Sequence, residues 1–226
     1  MKQLVTFFAT FLTVIALSIP AAAMAESVIT VTCVGDSNTQ GRYPTMLGEA
    51  LGAGWNVIDC GRYATTTVTY QEMPQYQAAL ASNPDIVLIM LGTNDAHPGS
   101  WRRTRDGGTP EEVFKTNYLR LITSFQALES QPKIVMVVPP PVYPDKVKKS
   151  EKAQAATQSR NDNLIHSVIP LVREIAAEQN LPLIDLHTIM LPSPELSADG
   201  VHFHKDGYRT MSQIFATRIR EVMAAP

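Results

Sequence analysis

Short apolar runs recur along this chain, separated by stretches with helical spacing. Val28 to Val34, Trp55 to Cys60, Asp85 to Leu91, Lys133 to Val138 and Leu181 to Leu186 each read as a strand. They are apolar throughout rather than alternating, the pattern of strands covered on both faces. Between them, Pro44 to Leu51 predicts a short helix closed near Gly52, and Gln71 to Ala81 predicts another whose start is blurred by Pro74. Thr109 and Glu112 form a capping box with Pro110 at the first helical position. Val113, Phe114, Tyr118, Leu121, Ile122, Phe125 and Leu128 then repeat at helical spacing, which makes them one core-facing stripe. Asn163 to Gln179 predicts a helix kinked or restarted at Pro170, and Tyr208 to Met223 a closing helix. Pro139 to Arg160 reads as a long polar connection, rich in Pro and Lys.

Strands alternating with helices imply βαβ units and a mainly parallel sheet. In such sheets ligands gather beyond the carboxyl ends of the strands. The residues following those ends therefore carry the chemical interest. They are Gly35-Asp36-Ser37 after the first strand, Gly61 after the second, and Gly92-Thr93-Asn94-Asp95 after the third. Asp199-Gly200-Val201-His202 follows the fifth after a connecting loop.

These groups are chemically complementary. A serine hydroxyl is a poor nucleophile until a base takes its proton, and the base needs a third group to fix its tautomer. Asp199 and His202 are three residues apart, so carboxylate and imidazole can meet on one turn. The backbone N–H groups of Ser37 and Gly61, with the Asn94 side-chain amide, would supply donors for an oxyanion. Thr93, His97, Trp101 and His204 are placed around a substrate pocket with Asp36, whose carboxylate is expected to hold backbone N–H groups of the serine loop. Asp95 and Asp185 are expected to have similar structural roles, and His166 and His187 also read as structural.

The blocks "GDSNTQGR", "DCG", "GTND" and "DGVH" stand in the order found in the SGNH (GDSL-type) hydrolases, which the chain resembles from about Val28 to Met223. That resemblance implies an α/β domain of flavodoxin-like three-layer α/β/α architecture with about five parallel strands. It implies a serine esterase with Ser37 as nucleophile, Asp199 and His202 completing the triad, and Gly61 and Asn94 in the oxyanion hole. "YPTMLGEALG", "PDIVLIMLGTND", Trp101, "LIDLH" and "DGVHFHKDGY" are similar to secreted bacterial members grouped with carbohydrate acylesterases. Small acyl esters, acetyl esters of saccharides foremost, are the implied substrates; longer acyl chains or thioesters are the alternative. No metal or organic cofactor is implied. The second block departs from the usual pattern: Asp59 stands where Asn is common, and Ala64 where a second glycine turn is common. Phe203-His204 replaces the commoner Pro-Asn after the histidine.

Two other readings draw on the same residues. Asp199, His202 and His204 could form a metal cluster, though that would leave "GDS" and "GTND" unexplained. A non-catalytic carbohydrate-binding protein could use Trp101, Tyr63 and Tyr70 as platforms, but it would have no use for a triad.

Composition narrows the setting. With 19 basic and 21 acidic residues the chain is slightly acidic and carries no Lys/Arg cluster suited to nucleic acid. Residues 1–25 read as a signal peptide: Lys2, an apolar stretch from Leu4 to Ile19, and Ala23-Met24-Ala25 as the cleavage site. The expectation is a secreted or periplasmic single domain over 26–226, without stable membrane insertion once the signal is removed. The two cysteines, Cys33 and Cys60, are expected to be free and buried, with a disulfide as the competing reading.

Overall fold

A computed structural model describes residues 28–102 and 108–224. The segment read as a signal peptide lies outside the described residues. Five strands form one parallel sheet: β1 (Ile29–Gly35), β2 (Trp55–Gly61), β3 (Ile86–Met90), β4 (Lys133–Val137) and β5 (Leu183–Ile184), in the order β2-β1-β3-β4-β5. This is the flavodoxin-like arrangement, and all five carboxyl ends share one rim.

Strand alternation divides the core in two. Val87 and Ile89 of β3, with Ile134 and Met136 of β4, face α2 (Thr67–Tyr70), α3 (Pro74–Ala81), α5 (Pro110–Gln126) and α7 (Ile169–Glu178). Ile86, Leu88 and Met90, with Val135 and Val137, face α1 (Tyr43–Leu51), α8 (Leu186–Met190) and α9 (Lys205–Ala224). Because each face is covered, the strand sequences read as largely apolar runs, and Thr32, a buried polar side chain of β1, has its hydroxyl hydrogen-bonded to that of Ser82. α5 has the capping box expected of it: the Thr109 hydroxyl accepts from the Glu112 N–H at 3.2 Å, and Glu112 Oε2 accepts from the Thr109 N–H at 2.8 Å.

The same alternation settles the cysteines. Cys33 belongs to one core and Cys60 to the other, so their side chains leave the sheet in opposite directions. Both are free and buried. Burial pushes the Cys60 thiol up to about 11, with Asp59 adding to the effect.

Three expectations need correction. The polar connection from Pro139 is largely helical, for α6 (Glu151–Asn163) begins where the Ser150 hydroxyl accepts the Ala153 N–H at 3.1 Å. Its sequence hid it, because only Thr157 is buried and no apolar stripe exists. Pro170 stands in the first turn of α7, where the α-helix restarts as one of the two readings had it. A π-helical turn over Leu164–Val168 joins α6 to α7, absorbing the missing proline N–H and the clash of its ring. The helix expected over Gln71 to Ala81 starts only at Pro74, which opens α3, while Gln71 caps the separate short helix α2. β5 is also shorter than its apolar run, as Asp185 leaves the sheet to cap α8.

Candidate active site

The site is assembled where the nucleophile loop leaves β1. The Asp36 backbone carbonyl accepts the N–H groups of Thr39 and Gln40, and Asp36 Oδ1 accepts the Asn38 N–H at 2.9 Å. This tight turn lifts Ser37 two residues beyond the strand. Gly61, at the end of β2, lies against the same turn, and a Cβ there would collide with the backbone of Gln40. The glycine is thus required by the close approach of two backbones.

The second half comes from the loop after β5. Gly200 takes φ +95°, and a Cβ there would meet the Tyr143 carbonyl oxygen at 2.7 Å. That turn returns the chain so that His202 faces Asp199. Asp199 Oδ1 accepts the backbone N–H groups of Val201 at 2.9 Å and His202 at 2.8 Å. Its Oδ2 lies 2.9 Å from His202 Nδ1, and His202 Nε2 lies 2.9 Å from Ser37 Oγ. Partial burial by itself raises the Asp199 pKa. The backbone N–H of His202, its ring and the Val201 N–H outweigh that effect and hold the carboxyl below its ordinary value. Asp199 therefore stays ionised at neutral pH, able to orient the imidazole.

Asn38 clamps the two halves together. Fully buried, it donates from Nδ2 to the Val201 carbonyl at 3.3 Å and accepts the Tyr208 hydroxyl at 3.0 Å on Oδ1. Sequence reasoning passed over both residues. Their only signal was position, Asn38 directly after the serine and Tyr208 six residues after the histidine.

The oxyanion side differs from expectation. The Gly61 N–H donates to Asp59 Oδ1 at 2.8 Å, and Asp59 Oδ2 accepts the Gly41 N–H at 2.5 Å. Gly61 is therefore not an open donor; Asp59 uses it to tie β2 to the nucleophile loop. The Ser37 and Ala64 N–H groups, by contrast, have no acceptor among the described residues. Ala64 holds φ +59°, a left-handed conformation uncommon for a residue with a Cβ. Asn94 Nδ2 donates to the carbonyl of the neighbouring Thr65 at 3.1 Å, which uses one of its two amide hydrogens and leaves the other.

The remaining candidates divide. Asp36 and Thr93 are buried beneath the site. Burial raises the Asp36 carboxyl to about 6 against the Asn38 N–H and the charges of His202 and Arg160. Asp95 does structural work, accepting the Thr67 N–H at 3.0 Å and the Thr67 hydroxyl at 2.6 Å. Asp185 caps α8 through the Thr188 N–H at 3.0 Å and pairs with Arg173 at 2.6 Å. His97 caps the short helix α4 (Pro98–Trp101), its Nδ1 accepting the Gly99 N–H at 3.1 Å. Trp101 lines a cavity of about 580 Å³ with Ala64, Val68, Val113 and Phe114. His204 is exposed, on the wall of a second cavity of about 640 Å³ that also includes Asp199 and His202. Among the described residues no three His, Cys, Asp or Glu side chains are grouped to hold a metal ion.

Residues 33–210 match the GDSL-like Lipase/Acylhydrolase family. The chain belongs to this family. Its fold, a five-stranded parallel sheet with helices on both faces, is the SGNH one. An acetylxylan esterase from Xylanibacter ruminicola is 28% identical over 236 residues, covering 90% of this chain and 45% of that protein. The chain thus spans about half the length of that relative. An Enterococcus faecalis lipase/acylhydrolase superposes with a TM-score of 0.64 at 24% identity, covering 86% of this chain and 96% of that one. A carbohydrate acetylesterase from Sinorhizobium meliloti gives 0.65 at 20% identity, covering 86% and 99%. None of the described helices is long and apolar enough to cross a membrane.

Proposed function

We propose that this hydrolase removes acetyl groups from saccharides through an acyl-serine intermediate. The observation that carries the mechanism is the unbroken relay from Asp199 through His202 to Ser37, with both hydrogen-bond distances at 2.9 Å. His202 Nε2 takes the Ser37 proton as Oγ attacks the ester carbonyl; the oxyanion is met by the N–H groups of Ser37 and Ala64 and by the Asn94 amide. Collapse of the tetrahedral intermediate passes that proton from His202 to the leaving alcohol. Water, deprotonated in turn by His202, then attacks the acyl-serine, and His202 returns that proton to Ser37 Oγ as the second intermediate collapses to acetate and free Ser37. The saccharide acetyl ester is supported by the Xylanibacter ruminicola relative and by the cavity open to solvent beside His202.

A second reading, hydrolysis of longer acyl chains, is favoured by the cavity that Trp101, Val113 and Phe114 line. One experiment tests both: rates on p-nitrophenyl acetate, butyrate and octanoate, beside acetate release from acetylated xylo-oligosaccharides. Highest kcat/KM on acetyl esters, with acetate released from the oligosaccharides, is the expected result; a preference for octanoate overturns it. Fluorophosphonate labelling of wild type but not Ser37→Ala tests the nucleophile independently.

A further inference from the structure

The leaving alcohol must lie on the side of the imidazole that protonates it, away from the oxyanion donors. His202 and Asp199 line a cavity, and four cationic side chains line it with them. Lys146, Lys148 and Lys149 come from the connection after β4, and Arg160 from α6. None of the four forms a salt bridge among the described residues, although the Arg160 charge also acts on the carboxylates of Asp36 and Asp199. Arg160 is half-buried, with its Nε shielded from solvent and without a hydrogen-bond acceptor. The wall carries two carboxylates, Glu195 and Asp199, and both oxygens of Asp199 are already committed to N–H groups at the triad. Exposed lysines on a convex surface would be ordinary solvated charge. Here they converge with an arginine on a concave wall next to the group that protonates the leaving oxygen.

We propose that this wall is a subsite for a carboxylate on the alcohol half of the substrate, so that the preferred saccharide is an acetylated uronic acid or an oligosaccharide bearing one. The inference rests on the saccharide acetylesterase reading and deepens it. A guanidinium presents paired donors matched to a carboxylate, and the lysines add charge that needs no fixed geometry. Nothing in the chemistry at Ser37 changes; the charge acts on how the alcohol half is held.

A matched pair of substrates isolates the effect: methyl glucoside and methyl glucuronoside, acetylated at the same hydroxyl, differ only in CH₂OH against carboxylate. Acetate release should show kcat/KM about tenfold higher for the glucuronoside, the size of one good charge-assisted contact. That preference should shrink as ionic strength rises from about 0.01 M to about 1 M. In Arg160→Gln, and separately in the triple variant Lys146→Gln/Lys148→Gln/Lys149→Gln, the ratio between the two substrates should fall toward one. Because the ratio is read on one enzyme preparation, partial loss of folded protein does not mimic it. Equal kcat/KM for the two substrates in wild type, or a ratio untouched by both variants, overturns the subsite and leaves the saccharide reading standing. Hydrolysis of p-nitrophenyl acetate with neither sugar ester turned over overturns both.

Discussion

Replacing Asp199 by Asn tests the relay at its most sensitive joint. Two backbone N–H groups converge on Asp199 Oδ1, so the amide of an asparagine must turn its oxygen to them. Its NH₂ then faces His202 Nδ1, 2.9 Å from the present Oδ2. A donor there demands that Nδ1 be an acceptor, which puts the ring proton on Nε2. That tautomer cannot take the Ser37 proton. Reaching the productive tautomer sacrifices a hydrogen bond and sets two donors face to face, about 2 kcal/mol. The imidazolium formed during attack also loses a negative charge about 4 Å away. That is about 4 kcal/mol at an effective dielectric of about 20 and about 1 kcal/mol in bulk water. The Asp199 side chain is 56% exposed, so the lower half of that range applies. Together these give about 4 kcal/mol, or a fall in kcat of roughly 10³-fold. KM should hardly move, because the ground state uses neither effect. Stopped-flow or steady-state hydrolysis of p-nitrophenyl acetate reads both constants. A kcat within tenfold of wild type, or a loss carried by KM, would refute the tautomer argument. Stability offers an independent check with a defined sign. The Asp199 carboxyl is depressed in the folded protein, so its stabilisation is complete above the unfolded value near 4 and is lost as pH falls through the folded value. The gap in Tm between wild type and Asp199→Asn should therefore be present at neutral pH and close below about pH 4.

Other perturbations read other joints. Tyr208→Phe leaves buried Asn38 Oδ1 without its donor and should cost about 1–3 kcal/mol by urea denaturation, with a lower kcat as the serine and histidine loops lose their clamp; unchanged stability and kcat would remove Asn38 from its clamping role. Thr109→Ala removes the α5 cap and should cost about 1 kcal/mol while kcat/KM on p-nitrophenyl acetate stays as it was. Ellman's reagent should find no fast-reacting thiol in the native protein and two per chain after denaturation without reductant, since Cys33 and Cys60 are buried and face apart. Mass spectrometry of exported protein should find a chain beginning at Glu26 if residues 1–25 act as the signal proposed from the sequence.

What could be read along the chain was whatever is encoded locally. The apolar runs became β1 to β4, the Thr109–Glu112 box capped α5, and Ser37, Asn94, Asp199 and His202 followed the strands expected to carry them. Each depends on residues within a few positions of one another, so spacing alone reveals it. α6 escaped because a helix with one buried residue leaves no periodic trace, and the π turn escaped because a proline's effect depends on how the surrounding helix is held. The donor geometry was decided only in three dimensions. Whether the Gly61 N–H is open depends on Asp59 Oδ1, and the availability of the Ala64 N–H depends on a left-handed turn beside Thr65. The Asn38 clamp and the cationic wall likewise join residues more than a hundred positions or several elements apart. Residue types and their order were enough to specify a serine, a histidine and a carboxylate at one rim of a parallel sheet. Which N–H groups stand open there, and which charged side chains gather beside His202, depends on partners that exist only once distant segments have packed.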